Sequence, residues 1–438
     1  MNSNARFLSV KIQNRFEKKK EKLSIVRNKI FSQFKPDLIS KSRSMILTSE
    51  IIRLKDRLDL FIEYITGKKL KYLDPSLHSI LRIGYFEILY DQNIPNYAAV
   101  NSAVSLTKSI LNRKASGFTN AALRNLIRTI ERKTEWERQL RKDPRWYSLP
   151  NWLYEKWTDR FGKKEFDKLA KAFDRAPNTY IRVDISQKEL IDIQKELAES
   201  DIKTDKFFNT FLKVKSGSGK ILSTELFKTG QISIQDPAAG AVVDFLDPQP
   251  GDTVLDVCAA PGTKSLYIAE KVGDLGKVLA TDFDNKRVNF GKNDLNRHNR
   301  SNIIWSLKDA RKDEFPKSDK ILIDAPCSGT GVLGRKPDIR WRRKLQDIKN
   351  LAKLQFQILE HMANYLHSGG ILVYATCSLE PEENWNVIKD FLNLNADFQL
   401  IPGPSSLPKA WINEKGCFQT LPHVHGVDGM FSAKIKRL

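Results

Sequence analysis

Two kinds of hydrophobic spacing divide this chain. Through residue 140, apolar positions recur at three- and four-residue intervals, as in "SEIIRLKDRLDLFIEYITG" (49–67) and "PSLHSILRIGYFEILYDQ" (75–92), and predict amphipathic helices. A further helix is predicted after Pro95 and another after Gly117. "RKDPRWYSLPNW" (141–152) breaks the pattern. Beyond it come helical spacing at "LYEKWTDRFG" and "FDKLAKAFDRA", a strand at "TYIRVD", a helix at "SQKELIDIQKELAES" and strands near "TFLKV". From Gln231 the period changes again. "DTVLDVCAA", "KVLATDF", "NIIWS", "KILIDAP" and "GGILVYATC" are short apolar runs, with helices predicted at 264–272, 285–299, 345–367 and 382–394. Near-continuous apolar strands alternating with helices predict a parallel sheet covered on both faces. The ending "CFQTLPHVHGVDGMFSAKIKRL" adds two strand-like runs with no helix expected between them. The fold expected is α/β: a doubly wound, Rossmann-like sheet domain at 236–438, an all-α domain at 1–140 and a small α+β connector at 141–235.

Composition changes this picture mainly through the placement of charge. Of the net +21 over 438 residues, +16 falls in residues 1–150, which hold 30 Lys and Arg against 14 Asp and Glu. A basic module joined to a near-neutral one suits a polyanion grip beside a machine. No apolar run approaches the ~18 residues of a membrane span. The N-terminus lacks a signal-peptide apolar core, so a cytoplasmic protein is expected. The four cysteines, Cys258, Cys327, Cys377 and Cys417, form no CxxC pair and no zinc-spaced cluster, so reduced thiols and no metal are expected. Trp152, Tyr154 and Trp157 have helix spacing and read as core.

The chemistry concentrates where the predicted strands end, the edge at which open parallel sheets bind ligands. Asp256 closes the first strand, and "VCAAPGTKS" makes a tight turn at Gly262 into a helix whose first N–H groups suit an anion or carboxylate. The turn is neither a dinucleotide fingerprint nor a P-loop. Asp282 ends the next strand, where a carboxylate can bind ribose hydroxyls, and Asp309 follows the third as an acceptor for an adenine amino group. Three acids at successive strand ends imply an adenosine carrying a charged side group.

Over 231–438, "QDPAAGAVVDFLDPQPGDTVLDVCAAPGTKS", "DAPCSGTGVLGRKPDIRWRR" and "YATCSLEPEENW" resemble, in order, the motifs of the Sun/RsmB-type RNA cytosine-5 methyltransferases. The front of the chain resembles a NusB-like RNA-binding domain in "LRIGYFEILY", "IPNYAAVNSAV" and "SGFTNAALRNLIR". The resemblance implies S-adenosylmethionine held by Cys258, Ala259, Ala260, Pro261, Gly262, Thr263 and Lys264 with Asp282, Asp309 and Asp324. Thr263 stands where the family has glycine, and Gly329 where it often has alanine. It implies as substrate a cytosine in RNA, small-subunit (16S) ribosomal RNA above all. A monomer is expected, and no membrane partner, since no basic amphipathic helix with Trp or Phe anchors stands out.

Carbon 5 of cytosine is a poor nucleophile until a thiolate adds at carbon 6, a task cysteine performs well because it attacks and leaves readily. Asp324, three residues before Cys327, is the candidate acid for the ring nitrogen. Chemistry alone leaves the attacking thiol open. The family pattern assigns attack to Cys377 and product release to Cys327; the serine after each reads as incidental. Arg335, Lys336, Arg340, Arg342 and Arg343, just past Cys327, are candidate phosphate contacts, and the target cytosine must be unpaired or flipped. An amino-methylating enzyme is disfavoured because "DAPC" presents a thiol where such sites carry a proline and an aromatic. Transfer RNA as substrate, or a non-catalytic NusB-like RNA-binding factor, are the alternatives.

Overall fold

The computed structural model describes residues 4–132 and 135–438. The chain forms two compact units: Met1–Ala176 with Leu333–Lys344, and Pro177–Val332 with Leu345–Leu438. The expected boundaries at 140 and 235 therefore fall inside units. The cause is packing on both sides. The helix Asn151–Phe173, broken at Gly162, belongs with the preceding helices, where Asp174 at its end pairs with Arg57 at 2.5 Å. Tyr180 and Phe211 of the expected connector share a core with the large sheet.

The first unit is helical. Its main elements are α1 (Ala5–Lys19), α2 (Leu23–Phe34), α3 (Leu38–Arg53), α4 (Lys55–Thr66), α5 (Pro75–Tyr90), α6 (Asn96–Ile110) and α7 (Arg113–Glu131). Side-chain caps start several of them: Asn4 accepts from Phe7 N–H, Asp74 from Ser76 and Leu77 with Pro75 at the first position, and Asn112 from Ala115. Leu58, Ile62, Ile80, Leu81, Tyr85, Leu123 and Leu126 meet in the core. Within it Arg82 grips both oxygens of Asp59 at 2.6 Å and reaches Glu17 at 2.9 Å, tying α1, α4 and α5. Arg82 and its neighbours outweigh burial and hold the Asp59 carboxyl well below its usual range.

The second unit contains two sheets. β1 (Tyr180–Val183), β2 (Lys203–Phe208), β3 (Phe211–Ser216) and β4 (Ile232–Ile234) form an antiparallel sheet in the order β2-β3-β1-β4. The larger sheet uses β5 (Thr253–Val257), β6 (Lys277–Asp282), β7 (Ile303–Leu307), β8 (Ser318–Asp324), β9 (Leu366–Thr376), β10 (Phe398–Ile401), β11 (Phe418–Gln419) and β12 (Phe431–Arg437). Its order is β10-β12-β9-β8-β5-β6-β7, with β11 on β12. β7, β6, β5, β8 and β9 run parallel, while β12 lies antiparallel between β9 and β10. This is the expected Rossmann-like sheet. The chain steps outward from β5 in both directions, so β5 marks the switch point at which such sheets open a crevice. A short helix, Pro422–His425, interrupts the terminal segment where none was expected.

Among the described residues no helix is long and apolar enough to cross a membrane, and no group of three or more His, Cys, Asp or Glu could hold a metal.

Candidate active site

Five parallel strands deliver their carboxyl ends to one edge, and the expected site residues lie there. At the end of β5, Asp256 is fully buried and accepts from Ser265 Oγ at 2.6 Å. Burial raises its carboxyl to about 7. The chain then turns sharply: Cys258 takes a positive φ of 60°, and Gly262, at φ 106°, caps the helix Thr263–Val272. A Cβ on Gly262 would stand 2.7 Å from the ring of Trp305 on β7, so glycine is required there for space as well as for φ.

Three further acids at or just past strand ends each meet a cation. Asp282, ending β6, accepts from Ala260 N–H at 3.3 Å and pairs with Arg287 at 3.0 Å. Burial raises Asp282, against the pull of the Asp284 N–H and Arg287. Asp309, just past β7, is gripped by Arg311 at 2.6 and 2.9 Å and held down to about 2 by that hydrogen bonding. Asp324, the last residue of β8, accepts from Lys264 Nζ at 2.7 Å. Burial works against the charge on Lys264. The Asp324 carboxylate outweighs it and, with a contribution from Cys377, holds the ammonium above its ordinary value.

β8 and β9 are paired in parallel with Asp324 opposite Ala375, so the loops that leave them emerge side by side. This brings Cys327 Sγ to 3.2 Å from Cys377 Sγ, and Cys377 N–H donates to Cys327 Sγ at 3.3 Å. Both thiols are half-buried. The hydrogen bond with Cys377, burial, and the charges at Cys377 and Glu383 hold the Cys327 thiol well above its ordinary range. Gly331 fixes the exit of the first loop. Its N–H donates to Cys377 O at 3.0 Å, and a Cβ there would overlap Gly429 O at 2.0 Å.

The serines that follow each cysteine are not incidental. Ser328 and Ser378 both donate their hydroxyls to Glu383, a fully buried carboxylate that the sequence reading passed over as part of an acidic helix start. The repeated Cys-Ser dipeptide, with an acid five residues after the second serine, was the available signal. Cys258 and Cys417 are set apart: burial pushes both thiols up, Cys417 to about 12, and Cys417 packs fully inside.

The basic run divides. Lys336 is exposed and Arg335 and Arg343 are half-buried, whereas Arg342 pairs with Asp338 at 2.8 Å. Arg340 does not fit the expected phosphate contact. It is 1% exposed within the helical unit, and its guanidinium donates to the carbonyls of Arg53 (2.9 Å), Ser148 (3.1 Å) and Phe173 (2.7 Å). Burial lowers it to about 9. Of the aromatics near 152–157, Trp157 is core, stacked on Phe173.

Comparison with known proteins gives these features a context. Residues 243–436 match the family model for the 16S rRNA methyltransferase RsmB/F, and residues 3–128 match the NusB family. A probable ribosomal RNA small subunit methyltransferase B from Synechocystis sp. is 32% identical over 88% of this chain and 89% of its own length. The chain belongs to the RsmB/F family of ribosomal RNA methyltransferases. A second member, from Bacillus subtilis, is 31% identical over 93% of both chains. The solved structure of PH0851 aligns over 99% of both chains with a TM-score of 0.77 at 26% identity. The protein is accordingly an RNA methyltransferase dependent on S-adenosylmethionine, with a NusB-like helical region.

The residues fit that cofactor. Asp256 Oδ1 is buried without a hydrogen-bond partner among the described residues, an acceptor suited to an ammonium group. The first N–H groups of the helix Thr263–Val272 suit a carboxylate, and the buried Asp282 suits ribose hydroxyls.

Proposed function

We propose that this enzyme methylates carbon 5 of a cytosine in small-subunit ribosomal RNA, through a covalent bond between Cys377 and carbon 6 of the base. The observation that carries the reading is the pair of thiols 3.2 Å apart beside Asp324 and Lys264. Two thiols so close do not both ionise readily, because like charges disfavour each other. Cys327 is held as the thiol. Cys377, whose charge interacts favourably with the Lys264 ammonium, is the better placed to attack.

In this scheme residues 258–264 with Asp282 and Asp309 hold S-adenosylmethionine, which when bound supplies a methyl group on a positively charged sulfur. The Cys377 thiolate adds to carbon 6, and electron density moves onto carbon 5 and the ring nitrogen. Asp324 supplies the proton at that nitrogen once it has taken one up from the Lys264 ammonium, whose Nζ donates to it at 2.7 Å. Once carbon 5 carries its methyl group, a base accepts its proton, the electron pair left behind re-forms the bond between carbons 5 and 6, the Cys377 thiolate departs, and Cys327 assists that release. The basic helical unit and Lys336 are proposed to grip the RNA backbone, a sequence-independent contribution that weakens with salt.

Digestion of ribosomal and transfer RNA to nucleosides after incubation with the protein and methyl-labelled cofactor tests this reading. Label in 5-methylcytidine from small-subunit ribosomal RNA is expected. Label in a methyladenosine, or only in transfer RNA, would overturn the base or the substrate respectively.

A further inference from the structure

We propose that Glu383 is a positioning residue whose buried carboxylate ties the two cysteine loops to each other and sets the separation of Cys327 and Cys377. The proposal rests on the two-thiol reading above and adds to it the part that holds the thiols in place.

Donors from both loops converge on this one side chain. Ser328 N–H donates to Oε1 at 2.8 Å and its hydroxyl donates to Oε2. Ser378 donates its hydroxyl to the same Oε2 at 2.5 Å, and the two serine oxygens are 3.1 Å apart. Gln355, on the helix Leu345–Ala363, donates to Oε1 at 3.0 Å and to Pro326 O at 2.9 Å, one residue before Cys327. The backbone of Glu383 is held as well, its carbonyl accepting from Tyr374 of β9 at 2.6 Å. A carboxylate has about four acceptor sites, and here four donors occupy it.

Burying such a group is costly unless it is fully hydrogen-bonded, and an apolar side chain of similar volume is often the more stable choice. Stability is therefore a weak explanation for it. Its geometric effect is direct. Each serine is the next residue after a cysteine, about 3.8 Å away along the backbone, so fixing both hydroxyls on one oxygen fixes both thiols. Neighbouring bonds continue the clamp: Thr330 accepts from Leu379 N–H at 2.9 Å, and Asn384 donates to Ser378 O at 2.9 Å. The Glu383 charge also contributes to keeping Cys327 protonated.

Glu383→Gln keeps the size of the side chain but turns an amide N–H₂ toward donors. The test compares it with the wild-type full chain in three readouts. The first is the rate at which diamide, a two-electron oxidant reduced to its hydrazine, takes two electrons and two protons from the Cys327 and Cys377 thiols to form a disulfide mapped by peptide mass. The second is kcat against KM with its pH profile. The third is S-adenosylmethionine affinity by calorimetry. The cross-link should slow, kcat should fall about 100-fold, as misplacement by about 1 Å can cause, and cofactor affinity should be unchanged. The alkaline limb of the pH profile should move to lower pH, because Cys327 loses a nearby negative charge. Wild-type cross-linking overturns the proposal, as does a loss of cofactor affinity and kcat together without change in cross-linking. If Glu383→Gln does not fold, Ser328→Ala and Ser378→Ala give the same readouts, and wild-type cross-linking in both overturns it. Absence of 5-methylcytidine formation by the wild type would sink the functional reading instead, while the cross-linking rates still judge the clamp.

Discussion

Cys327 and Cys377, fifty positions apart in sequence, place their sulfur atoms 3.2 Å from each other. Adjacent parallel strands bring this about, since Asp324 at the end of β8 lies opposite Ala375, and Cys327 follows β8 by three residues while Cys377 directly follows Thr376 of β9. At that distance a negative charge on one sulfur disfavours a negative charge on the other. Charge at Cys377 interacts favourably with the Lys264 ammonium, while Glu383 opposes ionisation of Cys327, which supports the division of roles proposed above.

The cofactor turn depends on glycine at 262. Gly262→Ala imposes a left-handed backbone on alanine and drives its Cβ to 2.7 Å from Trp305. Strain of about 1–3 kcal/mol is expected, and relieving it displaces the first turn of the helix Thr263–Val272. Calorimetry with S-adenosylmethionine should show affinity reduced by about one order of magnitude, each tenfold corresponding to about 1.4 kcal/mol. Thr263→Gly, which restores the residue the family pattern has there, should leave affinity within about twofold.

Asp256 links the same turn to pH. Burial raises it to about 7, so the folded protein holds a proton that the unfolded chain releases near pH ~3.9. Its contribution to stability is complete below that value and is lost as pH rises toward 7. Asp256→Asn keeps an acceptor for Ser265 and removes the titration. The stability of the variant relative to wild type should rise by about 1.4 kcal/mol per pH unit between pH 5 and 7, then level off. Urea unfolding at pH 5, 6, 7 and 8 measures this; a difference independent of pH would contradict it.

Arg340 separates a structural cation from an RNA contact. Arg340→Ala leaves three buried carbonyls without their donor and should cost about 3 kcal/mol. Thermal unfolding should show that loss, while the salt dependence of RNA binding stays unchanged. Lys336→Ala, at an exposed position, should do the reverse and reduce the slope of log affinity against log salt by about 1.

Much of the sheet was legible because buried parallel strands such as "KILIDAP" and "GGILVYATC" are apolar on both faces, and both match observed strands. β2 was not marked out because "KTDKFF" is an exposed edge strand with charges at half of its positions, so no apolar alternation distinguishes it. The compact units divide the chain elsewhere than the expected domains because packing, not the Pro-rich break at 141–152, places the helix Asn151–Phe173 with the helices before it. At the site, strand-end acids and thiols could be read from position alone. Glu383 could not, since an acid near a helix start usually caps it, and only the fold turns this one inward between two loops. Arg340 was misread for the converse reason: an arginine in a basic run usually faces water, and sequence does not reveal three carbonyls waiting for it.

Single substitutions of the two thiols test their proposed roles on RNA most directly. Cys327→Ala and Cys377→Ala are each incubated with small-subunit ribosomal RNA and S-adenosylmethionine, then run on a denaturing gel. Cys327→Ala should give a slow-migrating protein–RNA adduct that survives denaturation, because attack proceeds and release fails. Cys377→Ala should give neither adduct nor methylated product while binding the cofactor normally. An adduct with Cys377→Ala and none with Cys327→Ala would contradict the assignment.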